Sequence, residues 1–170
     1  SAASDVYKRQ RLGKLKSAGF NWLGLGIESA SSFVRDGMAK GNFGSEMIYN
    51  AVDAVRVHDI AVGANYIFGL PDDTQESMEE TLGLAMELNT EWANFYCAMA
   101  YPGSPLYEEA KTKKWPLPDD ENGPGWTGYS HLCYDALPLP TKSLSAIQVL
   151  EFRDYAFDKY FTNPAYLTML

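Results

Sequence analysis

Two short apolar runs constrain this chain more than any other feature. Trp22–Ser29 reads Trp-Leu-Gly-Leu-Gly-Ile-Glu-Ser, and Ala61–Pro71 reads Ala-Val-Gly-Ala-Asn-Tyr-Ile-Phe-Gly-Leu-Pro. Each delivers one polar group near its end, and a helix-like stretch follows. A parallel strand presents a residue to a ligand at the carboxyl edge of a sheet or barrel in this way. Two such strands aim Glu28 and Asn65 at the same rim. Side-chain parity adds that Gly24, Gly26 and Glu28 share one face of the first strand, while Leu23, Leu25 and Ile27 share the other. On the second, Val62, Tyr66 and Phe68 are bulky on one side, and Ala61, Gly63, Asn65 and Ile67 are smaller or polar on the other. Glycines on the small side leave room for a ligand.

Ser45–His58 carries Ile48, Ala51, Val52 and Val55 at helical spacing. Asp73-Thr74-Gln75-Glu76 has the form of a capping box, opening a helix with Met78, Leu82, Ala85 and Met86 inward. A third strand is expected over Trp92–Ala100, apolar on both sides, then a short helix over Leu106–Lys113. With a helix tail at Arg11–Ala18, closed by Gly19, residues 11–114 read αβαβαβα, an α/β order that implies a parallel sheet with right-handed crossovers. Residues 115–170 continue as an ordered Pro/Gly/aromatic loop and a long helix opened by Ser145 and Gln148, with Val149, Phe152, Ala156 and Tyr160 on one face.

Residues 1–10 share no pattern with the rest of the chain. Asp5-Val6-Tyr7-Lys8-Arg9-Gln10 is the translation of a transposon-end sequencing adaptor, so Ser1–Gln10 reads as a non-native scar at which a gene was cut. A native terminus is the other reading, and the codons over these residues decide between them.

The 170 residues suffice for one buried core. With 14 basic against 22 acidic residues the net charge is −8, which argues against nucleic acid or an anionic membrane as partner. No run approaches the length of a membrane span, and no exported leader opens the chain, so a cytoplasmic location is expected. Cys97 and Cys133 are too few for a disulfide framework or a cysteine-rich metal site, and no metal ligands are expected here.

A resemblance then emerges from four segments in order: Gly26-Ile27-Glu28-Ser29, Met38-Ala39-Lys40-Gly41, Asn65 through Pro71, and Tyr101-Pro102-Gly103-Ser104-Pro105-Leu106-Tyr107. The series resembles the later half of a radical S-adenosylmethionine (radical SAM) core domain, most like members that carry a cobalamin-binding domain upstream. Leu137-Pro138-Leu139-Pro140-Thr141 and Phe152-Arg153-Asp154 add to it, so the likeness runs from about Arg11 to Leu170. It implies a partial (β/α) barrel, the last three strands of a (β/α)6 barrel, with a C-terminal helical extension.

S-adenosylmethionine lies across the carboxyl ends of those strands in the family. By position, Glu28 matches the group that binds the ribose hydroxyls, with Ser29 beside it; Asn65 matches a second polar group on the next strand, where relatives often have Asp. Lys40 matches a basic position that pairs with the methionyl carboxylate, and Ile67 one that packs on the adenine. The family's Cys-x-x-x-Cys-x-x-Cys loop for a [4Fe–4S] cluster is absent from these residues, and two cysteines cannot supply its three thiolates.

The implied function is therefore that of a fragment. The intact enzyme would reductively cleave S-adenosylmethionine at the cluster and start radical chemistry on a small-molecule substrate, by cobalamin-dependent methyl transfer or ring formation. The N-terminal half of the same protein would be this chain's partner, and the isolated chain would be inactive. The alternatives are a non-catalytic (β/α) nucleoside-binding or scaffold module, and a small α/β ligand-binding domain outside the family. Apart from the motif, Glu28 also reads as a solvated loop acid, Lys40 as a surface lysine, and Asn65 as an amide bonded to nearby backbone.

Overall fold

The computed structural model describes residues 2–36 and 44–170. Helix α1 spans Ala2–Ser17, followed by strand β1 at Trp22–Glu28 and the short α2 at Ser32–Asp36. Helix α3 (Ser45–Arg56), strand β2 (Ala61–Phe68), helix α4 (Gln75–Leu88) and strand β3 (Trp92–Cys97) continue the alternation. Helices α5 (Pro105–Lys113), α6 (Ala146–Phe161) and α7 (Pro164–Met169) complete the chain, with a 3-10 turn at Gly125–Tyr129 between α5 and α6.

The three strands form one parallel sheet in the order β1-β2-β3. Among the described residues, no strand pairs with the outer edge of β1. One face of the sheet is the core. Val62, Ala64, Tyr66 and Phe68 of β2 and Ala93, Phe95 and Cys97 of β3 are buried there beneath α3, α4 and α6. Phe95 stacks on Tyr66 and Phe68, and meets Phe157 and Tyr160 of α6 edge-on. Burial also drives the Cys97 thiol up to about 11, which leaves it an inert core group. The opposite face stays open, and Gly24, Gly26, Gly63, Asn65 and Asn94 lie on it.

Local chemistry accounts for the element ends. Ser145 and Gln148 form the expected capping box of α6, whose Val149, Phe152, Ala156 and Tyr160 are all buried. The box that opens α4 sits one residue later than expected: Thr74 is the cap and Ser77 its partner. Asp73 is then free to bind the preceding turn. Strand β3 is shorter than expected, because beyond Cys97 the Ala98 amide turns to the Phe68 carbonyl and the Ala98 carbonyl accepts from Leu139. In α3, Ile48, Val52 and Val55 face inward as the pattern requires, but Ala51 is exposed. Helix α1 begins at Ala2, within the segment set apart as a scar, and runs on to Ser17.

Candidate functional site

The carboxyl ends of the strands gather the polar groups that the sequence singled out. Gly26 of β1 is in register with Asn65 of β2, which is in register with Asn94 of β3. Residues in register on a parallel sheet project to the same side. At the end of β1 the pairing slips, so that Glu28 lies opposite Tyr66. The slip is a bulge, and Glu28 takes a left-handed backbone conformation with φ of 69°. That conformation curls the side chain back over its own strand. A Cβ added to Gly26 would stand 2.7 Å from Glu28 Oε1, so the absent side chain of Gly26 is what lets the carboxylate lie there. Glu28 is buried, and its carboxylate lies over Gly26, the β1 residue in register with Asn65.

Asn65 does not stand alone. Trp92 Nε1 donates to Asn94 Oδ1 at 2.8 Å, and Asn94 Nδ2 donates to Asn65 Oδ1 at 2.9 Å. An indole nitrogen can only donate, so both amide orientations follow from it. Among the described residues the NH2 group of Asn65 has no partner; it lies over Gly24, where an added Cβ would be 3.8 Å from Nδ2. The rim therefore offers a carboxylate acceptor on β1 and an amide donor on β2. The sequence singles out Glu28 and Asn65 as the two polar groups of this rim but not Asn94, which sits in what reads as an apolar run. The signal was the Trp-x-Asn spacing, which puts both side chains on one face of the strand.

Ser29 has a different setting. It is fully buried, and its hydroxyl lies 3.2 Å from Thr81 Oγ1 of α4. The Thr81 hydroxyl donates to the Ser77 carbonyl and accepts from the Ala30 amide, so Ser29 is the donor in their contact. Ser29 and Thr81 pin the end of β1 to the helix behind it. Ile67 sits at the open rim, packed against buried Val34, Leu70 and Ala98. Lys40 lies outside the described residues.

The turn after β2 is held from beneath by Asp73, which is 2% exposed. Its carboxylate accepts from the Leu70 amide at 3.0 Å and from the Ser77 hydroxyl at 2.6 Å. Burial raises the Asp73 carboxyl above its usual range, although these hydrogen bonds oppose the shift. An acid whose native value is raised contributes stability fully below its unfolded value of about 3.9 and loses it as pH rises through the native value. Asp73→Asn cannot titrate, and its melting temperature is expected to fall less than the wild type's as pH rises from 4 to 7. Equal slopes in circular-dichroism melts would contradict this account.

His131 closes the far side of the rim. Its ring lies on Tyr96 with centroids 4.7 Å apart, and Nε2 is 3.0 Å from the Tyr101 hydroxyl. Burial, with the nearby Arg153 charge, lowers its pKa and keeps the imidazole neutral near pH 7. Among the described residues, no group of His, Cys, Asp and Glu is arranged to hold a metal ion, and no helix is long and apolar enough to cross a membrane.

Comparison with known proteins agrees with this architecture. No protein-family model matches the chain. It is 33% identical over 110 residues to an uncharacterized methyltransferase of Pyrococcus horikoshii, covering 65% of this chain and 24% of that protein. It is 28% identical over 96 residues to the bacteriochlorophyllide d C-12(1)-methyltransferase of Chlorobaculum tepidum, covering 56% of this chain and 21% of that protein. An anaerobic magnesium-protoporphyrin IX monomethyl ester cyclase of Cereibacter sphaeroides is 30% identical over 109 residues, 64% of this chain and 18% of that protein. The aligned region is thus a quarter or less of each of these relatives' length.

Among solved structures, coproporphyrinogen III oxidase (HemN) from Escherichia coli, a radical SAM enzyme, superposes with a TM-score of 0.51 at 22% identity. The match covers 66% of this chain and 33% of that one, and it bears on the fold. The three-stranded parallel sheet with its helices, and these sequence relatives, bear out the resemblance read from the motifs: the chain matches the C-terminal half of a radical SAM core domain.

Proposed function

We propose that this chain forms the ribose and adenine side of an S-adenosylmethionine site in a radical SAM enzyme. One observation carries the reading: on the open face of the sheet the Glu28 carboxylate lies folded over Gly26, and the NH2 group of Asn65 lies over Gly24, two residues back along the same strand. A cis-diol fits such a pair, since one hydroxyl can donate to the carboxylate while the other accepts from the amide. Gly24 and Gly63 leave the floor beneath without side chains, and the rim position of Ile67 suits the face of a purine.

The residues of this chain bind and orient. Ser29 serves by fixing the strand end to Thr81, and Asp73 by holding the Gly69-Leu70-Pro71 turn. When bound, S-adenosylmethionine together with the [4Fe–4S] cluster supplies the radical chemistry. In this reading the cluster, and the cobalamin implied by the motif resemblance, belong to segments upstream of residue 11. Lys40 is proposed to pair with the methionyl carboxylate. The names of the relatives point to methyl transfer or ring closure on a porphyrin-type small molecule, which makes that class the first to screen as substrate.

In the full-length protein, Glu28→Ala is expected to weaken S-adenosylmethionine binding by about 1–3 kcal/mol, the cost of leaving a buried polar partner unmade. Isothermal titration with the cluster-loaded protein kept oxidised, so that the ligand is bound and not cleaved, reads this directly. Unchanged affinity would remove Glu28 from the site.

A further inference from the structure

We propose that Trp92 and Asn94 are positioning residues that set the hydrogen-bonding polarity of the candidate ribose site. The inference rests on the nucleoside reading above and adds what the site selects for. It starts from a chemical asymmetry. The indole N–H of Trp92 has no lone pair to offer, so the atom of Asn94 facing it at 2.8 Å is the carbonyl oxygen. The only amide group Asn94 then has left is its NH2, which lies 2.9 Å from Asn65 Oδ1. Asn65 has one orientation that accepts this bond, and in it Nδ2 faces the open side over Gly24. A fixed donor at the amino end of β3 thus decides, through two amides on adjacent strands, that β2 shows a ligand N–H groups and not a carbonyl.

Without this chain of bonds an asparagine at position 65 would be ambiguous. Either end of its side chain could face outward, and Glu28 on the neighbouring strand would accept from hydroxyls in both cases. With the relay in place the two rim groups differ in kind. The β1 side requires a hydrogen-bond donor from the ligand, and the β2 side requires an acceptor. An unmodified cis-diol satisfies both. A group that can only accept, such as fluorine, is tolerated at the position facing Asn65 and rejected at the position facing Glu28.

Asn94→Asp tests the idea, because a carboxylate still accepts from Trp92 but can no longer donate. Asn65 is then expected to rotate, give its NH2 to Asp at position 94, and turn its carbonyl outward. Side-chain amide hydrogen exchange by NMR on the 170-residue chain reads this without any ligand. In the wild type the Asn94 NH2 is expected to be the protected one, exchanging at least tenfold more slowly than that of Asn65. In Asn94→Asp the Asn65 NH2 becomes protected, while the Trp92 indole N–H stays bonded. A merely structural role for Asn94 predicts no such exchange of protection. The opposite pattern in the wild type overturns the relay.

Titration with adenosine and its 2′-fluoro and 3′-fluoro analogues reads the consequence. One analogue is expected to bind the wild type within threefold of adenosine and the other at least tenfold more weakly. In Asn94→Asp adenosine is kept within a few-fold and both analogues fall at least tenfold. If both proteins rank the three ligands alike, the polarity claim fails while the nucleoside site stands. If Glu28→Ala leaves adenosine binding unchanged, or the wild type binds none of the three, the nucleoside reading itself fails, whatever the amide exchange shows.

Discussion

Replacing Gly69 by alanine is expected to destabilise the fold by about 2–5 kcal/mol, although only one methyl group is added. Two independent costs meet there. Gly69 has φ of 79°, a left-handed conformation that costs an L-residue about 1–2 kcal/mol. The new Cβ would also stand 2.5 Å from Cγ1 and 3.2 Å from Cγ2 of Val149, which is fully buried on α6. Overpacking a tight core adds about 1–3 kcal/mol. The two parts separate in urea unfolding. Adding Gly69→Ala to a Val149→Ala background removes the collision and leaves the backbone cost alone. If Gly69→Ala costs the same in both backgrounds, the close approach of turn and helix is not what demands a glycine.

Phe95→Ala is expected to cost about 3–5 kcal/mol, the range for truncating a buried aromatic. The ring is fully buried on the sheet's covered face, between the aromatic rings of β2 and those of α6. It touches Tyr66 and Phe68 on the neighbouring strand and Phe157 and Tyr160 on α6, with centroids 5.3–5.7 Å apart. Its loss leaves a void between strand and helix, and the hydrogen-bonded backbones of β2 and β3 cannot close it. Denaturant titration of purified protein checks the value. A loss under about 1 kcal/mol would mean that the helices repack freely, and that α6 is not a fixed part of the core.

The architecture was legible in the sequence because it rests on local signals. Alternation of large and small residues in Ala61–Phe68, helical spacing in α6 and the Ser145–Gln148 cap each act over a few residues, and each appears in the structure. Where a tertiary contact decides, sequence reading slipped. The α4 cap lies at Thr74 because Asp73 is taken by Leu70 and Ser77. Strand β3 stops at Cys97 because the segment at Leu139 comes back to it.

The rim was half legible. Glu28 and Asn65 were visible as polar groups ending apolar runs, and pairing of β1 with β2 brings them together. The orientation of Asn65 was not visible, since it is set by Asn94, 29 residues further on. The setting of Ser29 depends on Thr81, 52 residues away on a helix. Hydrogen-bond direction between strands is a property of the assembled sheet, and no window of sequence contains it.

The bulge at Glu28 also sets two selective demands against each other. A left-handed backbone is held most cheaply by glycine or asparagine, so a carboxylate on a longer side chain is the less comfortable tenant of that position. A search that rewards thermal endurance alone would therefore drift toward glycine or asparagine at position 28, gaining robustness while discarding the acidic group. On the proposed function, keeping Glu28 in a hardened variant requires that ligand capture be selected alongside heat tolerance.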